Sequence, residues 1–259
     1  MGESVCPHAL PPNEYGTLAG MNNPLFRPSA EAGSLILQIE IDRVDADGID
    51  ELLNLYMDLF HDREPLTKWI GFSRERMASI ARAMHASSDY DHFPQQKPCW
   101  IARVDGEENR NVGFIVCDDP AVEGNPSLPD DLTEQEKEKV LAITALLEEI
   151  RRPVHDWITM GAGKCLHVSA IGVAPGCEGK GIAKRLLQTA LSDAGRSGFQ
   201  VVFSECTSRA SRMLHEKLGF ECLKSVSPQT LVVNGEKPFA DCDLELFLME
   251  KRFDEKAAR

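Results

Sequence analysis

The sequence lacks any long hydrophobic run. No stretch approaches the roughly 18 to 20 apolar residues of a membrane-spanning helix, and the N-terminal MGESVCPHAL has no apolar run preceded by basic residues, as a secretory signal has. Basic residues are in deficit, because 28 Lys and Arg stand against 41 Asp and Glu, a formal net charge of −13. This balance argues against binding to nucleic acids or anionic membranes, since both need a basic surface.

The cysteines lack the spacing of a metal site. Eight are scattered along the chain, with no C-x-x-C pair and no histidines at zinc-like intervals. Cys99, Cys117, Cys165 and Cys206 lie within apolar or strand-like runs. We therefore predict buried free thiols, no metal, and a reducing, cytoplasmic environment.

What is present is an ordinary globular composition, with 42% apolar and 27% charged residues in a chain of 259. Residues 1–33 carry Pro, Asn, Gly and Ala without periodicity, which predicts a partly ordered N-terminal tail. The remaining length suits one domain, which we place at 34–253, with a helical insert at about 119–163.

The first half of this domain alternates strand and helix patterns. A strand is predicted over 35–41, and apolar residues from Ile49 to Phe60 recur with helical spacing. Residues 63–71 are predicted to form a loop, because Pro65 disfavours the helical conformation for Glu64. A second helix (73–85) and a hairpin then follow, with strands at 99–104 and 111–118 and a turn at Asp105-Gly106.

The insert contains a helix opened by a capping box, Thr133 with Glu136, and ended by Arg151, Arg152 and Pro153. Its predicted apolar stripe is Val140, Ile143, Leu147 and Ile150. The remaining chain alternates strands at 165–173, 201–205, 221–225 and 244–249 with helices at 182–196 and 208–218. A hairpin followed by βαβα units predicts an α/β fold with a mixed sheet and helices on both faces.

The glycine loop in this second half is the most informative segment. The strand at 165–173 leads into Pro-Gly-Cys-Glu-Gly-Lys-Gly, and a helix begins at Ile182. Glycines let backbone N–H groups converge, and the helix N-terminus adds unpaired donors and the positive end of its dipole. The segment therefore predicts a cradle for pyrophosphate, although the same glycines could serve only as a turn.

Two common phosphate-binding motifs do not fit this loop. A P-loop would need Gly at 174 and Ser or Thr at 181, where the chain has Ala174 and Gly181. The dinucleotide pattern G-x-G-x-x-G from Gly179 would need Gly at 184, where Lys184 stands. Neither a nucleoside-triphosphatase nor a dinucleotide-binding interpretation is therefore retained.

The loop resembles the acyl-coenzyme A loop of the GNAT superfamily of N-acetyltransferases, whose pattern Arg/Gln-x-x-Gly-x-Gly/Ala follows a strand ending in Val-x-Pro. Val-Ala-Pro at 173–175 precedes Glu-Gly-Lys-Gly-Ile-Ala at 178–183, and a later helix ends in Leu-Gly-Phe at 218–220, as in that superfamily. The resemblance implies a GNAT fold, with a mixed, mostly antiparallel sheet of about seven strands, and acetyl-CoA as co-substrate.

The coenzyme site implied by this resemblance spans the strand, the loop and the next helix, with a contribution from the following strand end. It comprises Ile171, Val173, Glu178, Gly179, Lys180, Gly181, Ile182, Ala183, Lys184, Thr207 and Ser208. Glu178 departs from the pattern, because a carboxylate replaces Arg or Gln beside the expected pyrophosphate. This should cost coenzyme affinity unless Glu178 points away or a nearby cation neutralises the phosphates, and the candidate cations are Lys180, Lys184, Arg185 and Arg209.

Other segments resemble the arylalkylamine N-acetyltransferases of the insect dopamine-acetylating type. REPLTKWIG (63–71) is similar to their Glu-Pro-Leu loop, and CTSRASRMLHEKLGF (206–220) to their hydroxyl-rich stretch. The resemblance implies that Glu64 is the general base, through water, for an amine with a pKa near ~10. The alternative is that Glu64 is a solvated loop residue beside Arg63 with no catalytic role.

Four further side chains are candidates for catalysis. Ser208 and Ser211, at the start of the helix at 208–218, are candidates for the active centre, with helix capping as the alternative for either. His215 takes the position of the superfamily's acid tyrosine, with a helix-surface histidine as its alternative. His167 shares strand parity with Ile171 and Val173, so it is either a proton relay or a packed core histidine.

The function expected from the sequence is acetyl-CoA-dependent transfer of acetyl to a small primary amine of the arylalkylamine type, by direct attack in a ternary complex. The alternatives are acetylation of a polyamine, an amino acid or a protein N-terminus, and a non-catalytic acyl-CoA-binding regulator. No nucleic-acid or membrane partner is expected.

Overall fold

The computed structural model of the protein describes residues 38–86, 98–104, 110–122 and 128–253. The first half of the described chain contributes the strands β1 (Ile39–Arg43), β2 (Cys99–Val104) and β3 (Arg110–Asp118). Its helices are α1 (Ile49–Tyr56), α2 (Pro65–Ile70), α3 (Arg74–Ala86) and α4 (Glu134–Arg151). A wider π-helical segment, Met57–His61, extends α1, and a short 3-10 segment, Ala46–Gly48, precedes it.

The second half begins with a 3-10 segment, Arg152–Val154, that leads into the short helix α5 (His155–Thr159). The strands that follow are β4 (Cys165–Val173), β5 (Val201–Cys206), β6 (Glu221–Val226) and β7 (Leu246–Arg252). They alternate with α6 (Ile182–Arg196) and α7 (Arg209–Lys217), and a 3-10 segment, Pro228–Thr230, follows β6.

The strands form one sheet of seven in the order β1-β2-β3-β4-β5-β7-β6. Every neighbouring pair is antiparallel except β4 and β5, which are parallel. Helices cover both faces. Trp100 and Ala102 of β2 pack on α6, whereas Cys99 and Ile101 pack on α1. The predicted mixed, mostly antiparallel sheet between two helical layers is confirmed.

The core explains the cysteine pattern. Cys99, Cys117, Cys165 and Cys206 are buried and unbridged, as predicted from their apolar surroundings. Burial raises the pKa of Cys165 to about 12. No helix in the described part of the chain is long and apolar enough to cross a bilayer.

The prediction of a loop at 63–71 was wrong, because six of these residues form α2. Pro65 occupies the first helical position, where its fixed φ is favourable and its missing N–H costs nothing. Glu64 is extended, as the residue before a proline prefers, and its carboxylate caps the helix. The same proline rule therefore marks the start of a helix here.

The predicted apolar stripe of α4 was also partly wrong. The residues fully buried in the core are Ala142, Leu146 and Ile150, so only Ile150 of the predicted stripe is among them. Ile143 is partly buried against the same cluster, and with Leu147 it also lines a cleft. The helix has apolar residues on two adjacent sides, and periodicity alone does not say which side meets the core.

Several boundaries shift by a few residues. β1 ends at Arg43, two residues beyond the predicted strand, and residues 35–37 lie outside the described part of the chain. β7 runs from Leu246 to Arg252 where 244–249 was predicted. The predicted turn at Asp105-Gly106 and the tail at 1–33 also lie outside the described residues.

The sheet opens between its two parallel strands. β4 pairs with β5 only from Cys165 to His167, opposite Val201 to Phe203. On its other side β4 stays paired with β3 as far as Val173, and Ala174 N donates to Val112 O over 2.8 Å. In that antiparallel register the N–H and C=O of Val173 point away from β3 and into the gap.

Candidate active site

The gap between β4 and β5 widens into a cavity of about 1140 Å³. Its wall is formed by α1, α2, β4, the glycine loop, the first turn of α6, the β5–α7 junction and one side of α4. Most sequence-predicted site residues meet in this wall: Glu64, His167, Ile171, Val173, Glu178, Gly179, Gly181, Ile182, Ala183, Lys184, Thr207, Ser208 and Ser211. Lys180 and His215 are not among the lining residues.

One end of the cavity has the features of an anion site. Gly181 is the N-cap of α6 in the left-handed conformation, with φ of 79°, and no side chain caps the helix or places an acid in its first turn. A Cβ added at Gly179 or Gly181 would meet no described atom within 4 Å. The first-turn N–H groups therefore face open space, where a phosphate would find donors and the positive end of the helix dipole.

Glu178 is bound on both carboxylate oxygens. Its Oε2 accepts the Gly176 N–H over 2.6 Å, and its Oε1 accepts Nη2 of Arg63 over 2.6 Å. Burial alone would raise the pKa of Glu178, but the backbone N–H groups and Arg63 lower it. Nη1 of Arg63 also donates to Val173 O over 2.6 Å. This arginine therefore links the residues just before α2 to the β4 side of the gap.

Glu64 lines the cavity, and its carboxylate is also held at several points. Its carboxylate accepts the N–H of Leu66 over 3.1 Å and of Thr67 over 2.5 Å, as the cap of α2. The Thr207 hydroxyl, at the end of β5, donates to Oε1 of the same carboxylate. Arg63 and Glu64, adjacent in sequence, thus contact the two opposite arms of the open sheet.

The two serines that follow β5, Ser208 and Ser211, have different roles. Ser208 caps α7, because its Oγ accepts the Ser211 N–H over 3.1 Å. Ser211 Oγ donates to Cys206 Sγ over 3.2 Å, and burial raises the pKa of that thiol to about 12. The predicted cap is therefore Ser208, whereas Ser211 lines the cavity with its hydroxyl turned to a neutral thiol.

His215 is not the helix-surface histidine considered from the sequence. It is fully buried, with Nδ1 at 2.9 Å from Ser211 O and 3.4 Å from Cys206 Sγ, and its ring packs edge-on against Phe220. Burial lowers the pKa of His215. The prediction that His215 lies on the helix surface was wrong, because the buried side of α7 is short and includes this histidine.

His167 forms the centre of a buried charge network. Its Nδ1 is 3.0 Å from Asp118 Oδ1 and its Nε2 is 2.7 Å from Glu205 Oε2, while Arg151 pairs with the other oxygen of Glu205. Burial by itself would lower the pKa of His167, but the two carboxylates raise it to about 9. The pKa of Glu205 is lowered despite burial, by His167 and Arg151. His167 is thus protonated and Glu205 ionised near neutral pH.

Part of the cavity wall is apolar. It is formed by α2, α3 and α4, and its residues are Leu66, Ile70, Met77, Ile143 and Leu147, which are called here the apolar end. Such a surface favours the burial of a hydrocarbon or aromatic group. Glu64 comes two residues before Leu66, and its neighbour Arg63 contacts the glycine loop at Glu178.

Several residues of the wall were not identified from the sequence. Arg63 was noted only as a neighbour of Glu64, and Arg151 only as the end of a helix. Asp118 and Glu205 ended predicted strands without any assigned role. Their sequence separations of 38 to 49 residues from His167 carry no local signal, since only the sheet register brings them together.

A sheet that opens beside a glycine loop and an uncapped helix N-terminus gives a cleft with donors for a phosphate-bearing ligand. The acetyltransferase (GNAT) family model matches residues 50–220, well over half of the chain. The protein belongs to the GNAT acetyltransferase family. The family resemblance expected from the loop and from Leu-Gly-Phe is confirmed, and with it an acyltransferase assignment.

Solved structures of similar fold include the C-terminal condensation domain of Ebony in complex with beta-alanyl-dopamine, at a TM-score of 0.68 and 18% identity over 84% of this chain and 100% of that chain. Mosquito arylalkylamine N-acetyltransferase like 5b gives 0.62 and 20% over 83% and 100%. Drosophila melanogaster polyamine N-acetyltransferase, which forms N-acetylagmatine, gives 0.58 and 20% over 83% and 100%. At these identities the likeness is one of fold.

Proposed function

We propose that the protein is an acetyl-CoA-dependent N-acetyltransferase whose acceptor is a small primary amine with an apolar, arylalkyl body. The observation that carries this proposal is the position of Glu64. Its carboxylate lies in the cavity wall. It caps α2, whose Leu66 is an apolar residue of that wall, and the adjacent Arg63 pairs with Glu178 of the glycine loop. A donor bound along β4 and an amine bound among the apolar side chains would therefore meet beside it.

The described residues fit a coenzyme A ligand. The backbone N–H groups that begin α6 and the loop at Gly179 and Gly181 would hold the pyrophosphate. The edge of β4 at Ile171 and Val173, unpaired with β5, can hydrogen-bond an extended chain as an added strand does. When bound, acetyl-CoA supplies the acyl thioester.

Glu64 is suited to act on the amine. An alkylammonium with a pKa near ~10 must lose a proton before it can attack a carbonyl carbon. The carboxylate would attract the ammonium and then take its proton, directly or through a water. The N–H of Val173, which points into the gap, would donate to the acyl oxygen as negative charge develops there.

The acid for the departing sulfur is not assigned to His215. That imidazole lies behind Cys206 and Ser211, outside the cavity wall, with a lowered pKa. Ser208 lines the cavity where β5 leads into α7. We propose that its hydroxyl, or a water beside it, donates a proton to the departing sulfur.

The charges around His167 favour a substrate with one ammonium group over a substrate with several. Asp118 and Glu205 carry two negative charges, and protonated His167 with Arg151 carries two positive charges. The further ammonium groups of a polyamine would need carboxylates that are not already paired with cations of the protein. The apolar walls beyond Glu64 offer an aromatic or alkyl body a better fit, so we place arylalkylamines before polyamines.

The test is a thiol-release assay with acetyl-CoA and a panel of tyramine, dopamine, tryptamine, spermidine and lysine. The proposal predicts turnover with the aromatic amines at the highest kcat/KM. Preference for spermidine would favour the polyamine alternative. Coenzyme binding by calorimetry without release of thiol from any amine, peptide N-termini included, would instead support a non-catalytic regulator.

A further inference from the structure

Glu178 raises a problem for the proposed coenzyme site, because a carboxylate beside a pyrophosphate would repel it. The side chain is about half exposed and points back to the loop, with Oε2 on the Gly176 N–H. Its other oxygen is paired with Arg63, which lies 115 residues earlier in the chain. The compensating charge therefore comes from the segment between α1 and α2.

The cations that the sequence suggested for neutralising the phosphates are less well placed for this than Arg63. Lys180 does not line the cavity. Arg185 donates to Ile39 O over 2.7 Å, at the start of β1. Arg209 is exposed and also absent from the cavity wall. Only Lys184 among the candidates lines the cavity.

Arg63 has the geometry that those cations lack. Its guanidinium lines the cavity, bonded to Val173 O through Nη1 and to Glu178 through Nη2. A guanidinium carries five N–H donors in a rigid plane, and these two contacts engage one nitrogen each. The side chain is 41% exposed, so part of its donor face remains open to solvent.

We propose that Arg63 is a coenzyme-binding residue, which neutralises Glu178 and supplies from the α1–α2 segment the positive charge that position 178 lacks. The inference rests on the proposed use of acetyl-CoA. Glu178 then acts as a positioning residue for the arginine, and the ligand feature recognised is the diphosphate. Because Glu64 follows Arg63 directly, an anion that orders Arg63 also orders the segment that carries the proposed base.

The test is calorimetric titration of free CoA into the wild type, Arg63→Ala, Glu178→Gln and the double variant. Charge-assisted hydrogen bonds of this kind make a loss of about tenfold or more in CoA affinity the expected result for Arg63→Ala. Glu178→Gln should bind CoA at least as well as the wild type. In the Glu178→Gln background, removal of Arg63 should cost clearly less than in the wild type, because the arginine's own contact to the diphosphate is lost but no bare carboxylate remains.

Arg74→Ala is the matched control. Arg74 is similarly exposed, donates to the Met57 carbonyl and pairs with Asp58, and lies outside the cavity wall. Its removal should leave CoA affinity unchanged, and thermal unfolding should show all variants folded, since exposed ion pairs add little stability.

The outcomes separate the two proposals. Unchanged or tighter CoA binding by Arg63→Ala, with normal binding by the wild type, would overturn this inference and leave the proposed function standing. An equal loss in both backgrounds would overturn the neutralising role of Arg63. A wild type that binds no CoA would overturn the proposed function, and this inference with it.

Discussion

Thr207 and Glu64 join two parts of the cavity wall that are 143 residues apart in the chain, through a hydrogen bond from the Thr207 hydroxyl to the Glu64 carboxylate. The same carboxylate caps α2 through the N–H groups of Leu66 and Thr67. A carboxylate offers about four lone-pair sites, and these bonds take three. The position of Glu64 is thus fixed by capping while acceptor capacity remains for a proton.

Replacement of Glu64 tests whether this remaining capacity is used. Glu64→Ala should lower kcat/KM by roughly 10²- to 10⁴-fold, the usual contribution of general base catalysis. The loss should be largest at low pH, where the amine is hardest to deprotonate. CoA affinity should fall much less than kcat/KM. Parallel pH profiles for the variant and the wild type would remove Glu64 from the mechanism.

Loss of the cap needs its own control, because Glu64→Ala also removes the cap of α2. Thr133→Ala removes the cap of α4, where the Thr133 hydroxyl accepts the Glu136 N–H. Each variant should lose about 1 kcal/mol of unfolding free energy. Only the Glu64 variant should lose activity, and a comparable loss in Thr133→Ala would point to stability as the cause.

The glycine loop can be tested with two glycines that differ only in location. Gly181 and Gly198 have φ of 79° and 84°, and neither Cβ would meet a described atom within 4 Å. Gly181→Glu should abolish CoA binding by calorimetry, because the side chain would enter the anion site and bring a negative charge. Gly198→Glu carries the same backbone strain of about 1–2 kcal/mol and should bind CoA normally. Retained affinity in Gly181→Glu would contradict the loop assignment.

The sequence allowed the fold to be predicted where the signals were local. The glycine loop, the Thr133 capping box and the helix at 182–196 are each specified by local sequence, and each was found where expected. The α2 helix was missed because Pro65 serves equally as a helix start and as a loop residue. Neighbouring residues could not decide between these two structures.

The site could be predicted only in part, because its charges are brought together by strand register. Glu178 was correctly noted as a departure from the loop pattern, but its partner Arg63 lies on a different element. Parity predicted His167 on the same face of its strand as Ile171 and Val173, and this was wrong. A register shift in the β3–β4 pairing puts Ile171 and Val173 in the cluster on α6 together with Leu166 and Val168, the neighbours of His167. His167 lies on the other face, where Asp118 and Glu205 meet it through β3 and β5. Pairing of this kind depends on the whole sheet, which no short window of sequence encodes.

The His167 network predicts a distinct dependence of stability on pH. The folded pKa of about 9 exceeds the usual unfolded value of about 6.5. The resulting stabilisation is therefore complete below pH ~6.5 and is lost as pH rises through about 9. Urea unfolding from pH 6 to 10 should show a decline on the order of 2–3 kcal/mol across this window.

Substitution of the histidine should remove that decline. His167→Gln should be less stable at pH 6 and should show a flatter profile up to pH 9. His155→Gln, at an exposed position on α5, is the control and should keep the wild-type slope. Glu205, whose pKa is lowered, should add a second loss of stability on the acid side, as pH falls below about 4. A wild-type profile that is flat from pH 6 to 10 would contradict the network.

The two sides of α4 allow the acceptor preference to be tested on one helix. Leu147 lines the apolar end of the cavity, whereas Leu141 is 59% exposed on the outer surface. Leu147→Ala should lower kcat/KM for tyramine and tryptamine by about tenfold, since lost apolar contact in a pocket is worth roughly 1–3 kcal/mol. For a short alkylamine that does not reach this wall, kcat/KM should stay within about twofold, because only the aromatic body contacts Leu147 in the proposed arrangement. Leu141→Ala should change neither value, and equal losses for both amine classes would place the acceptor body elsewhere.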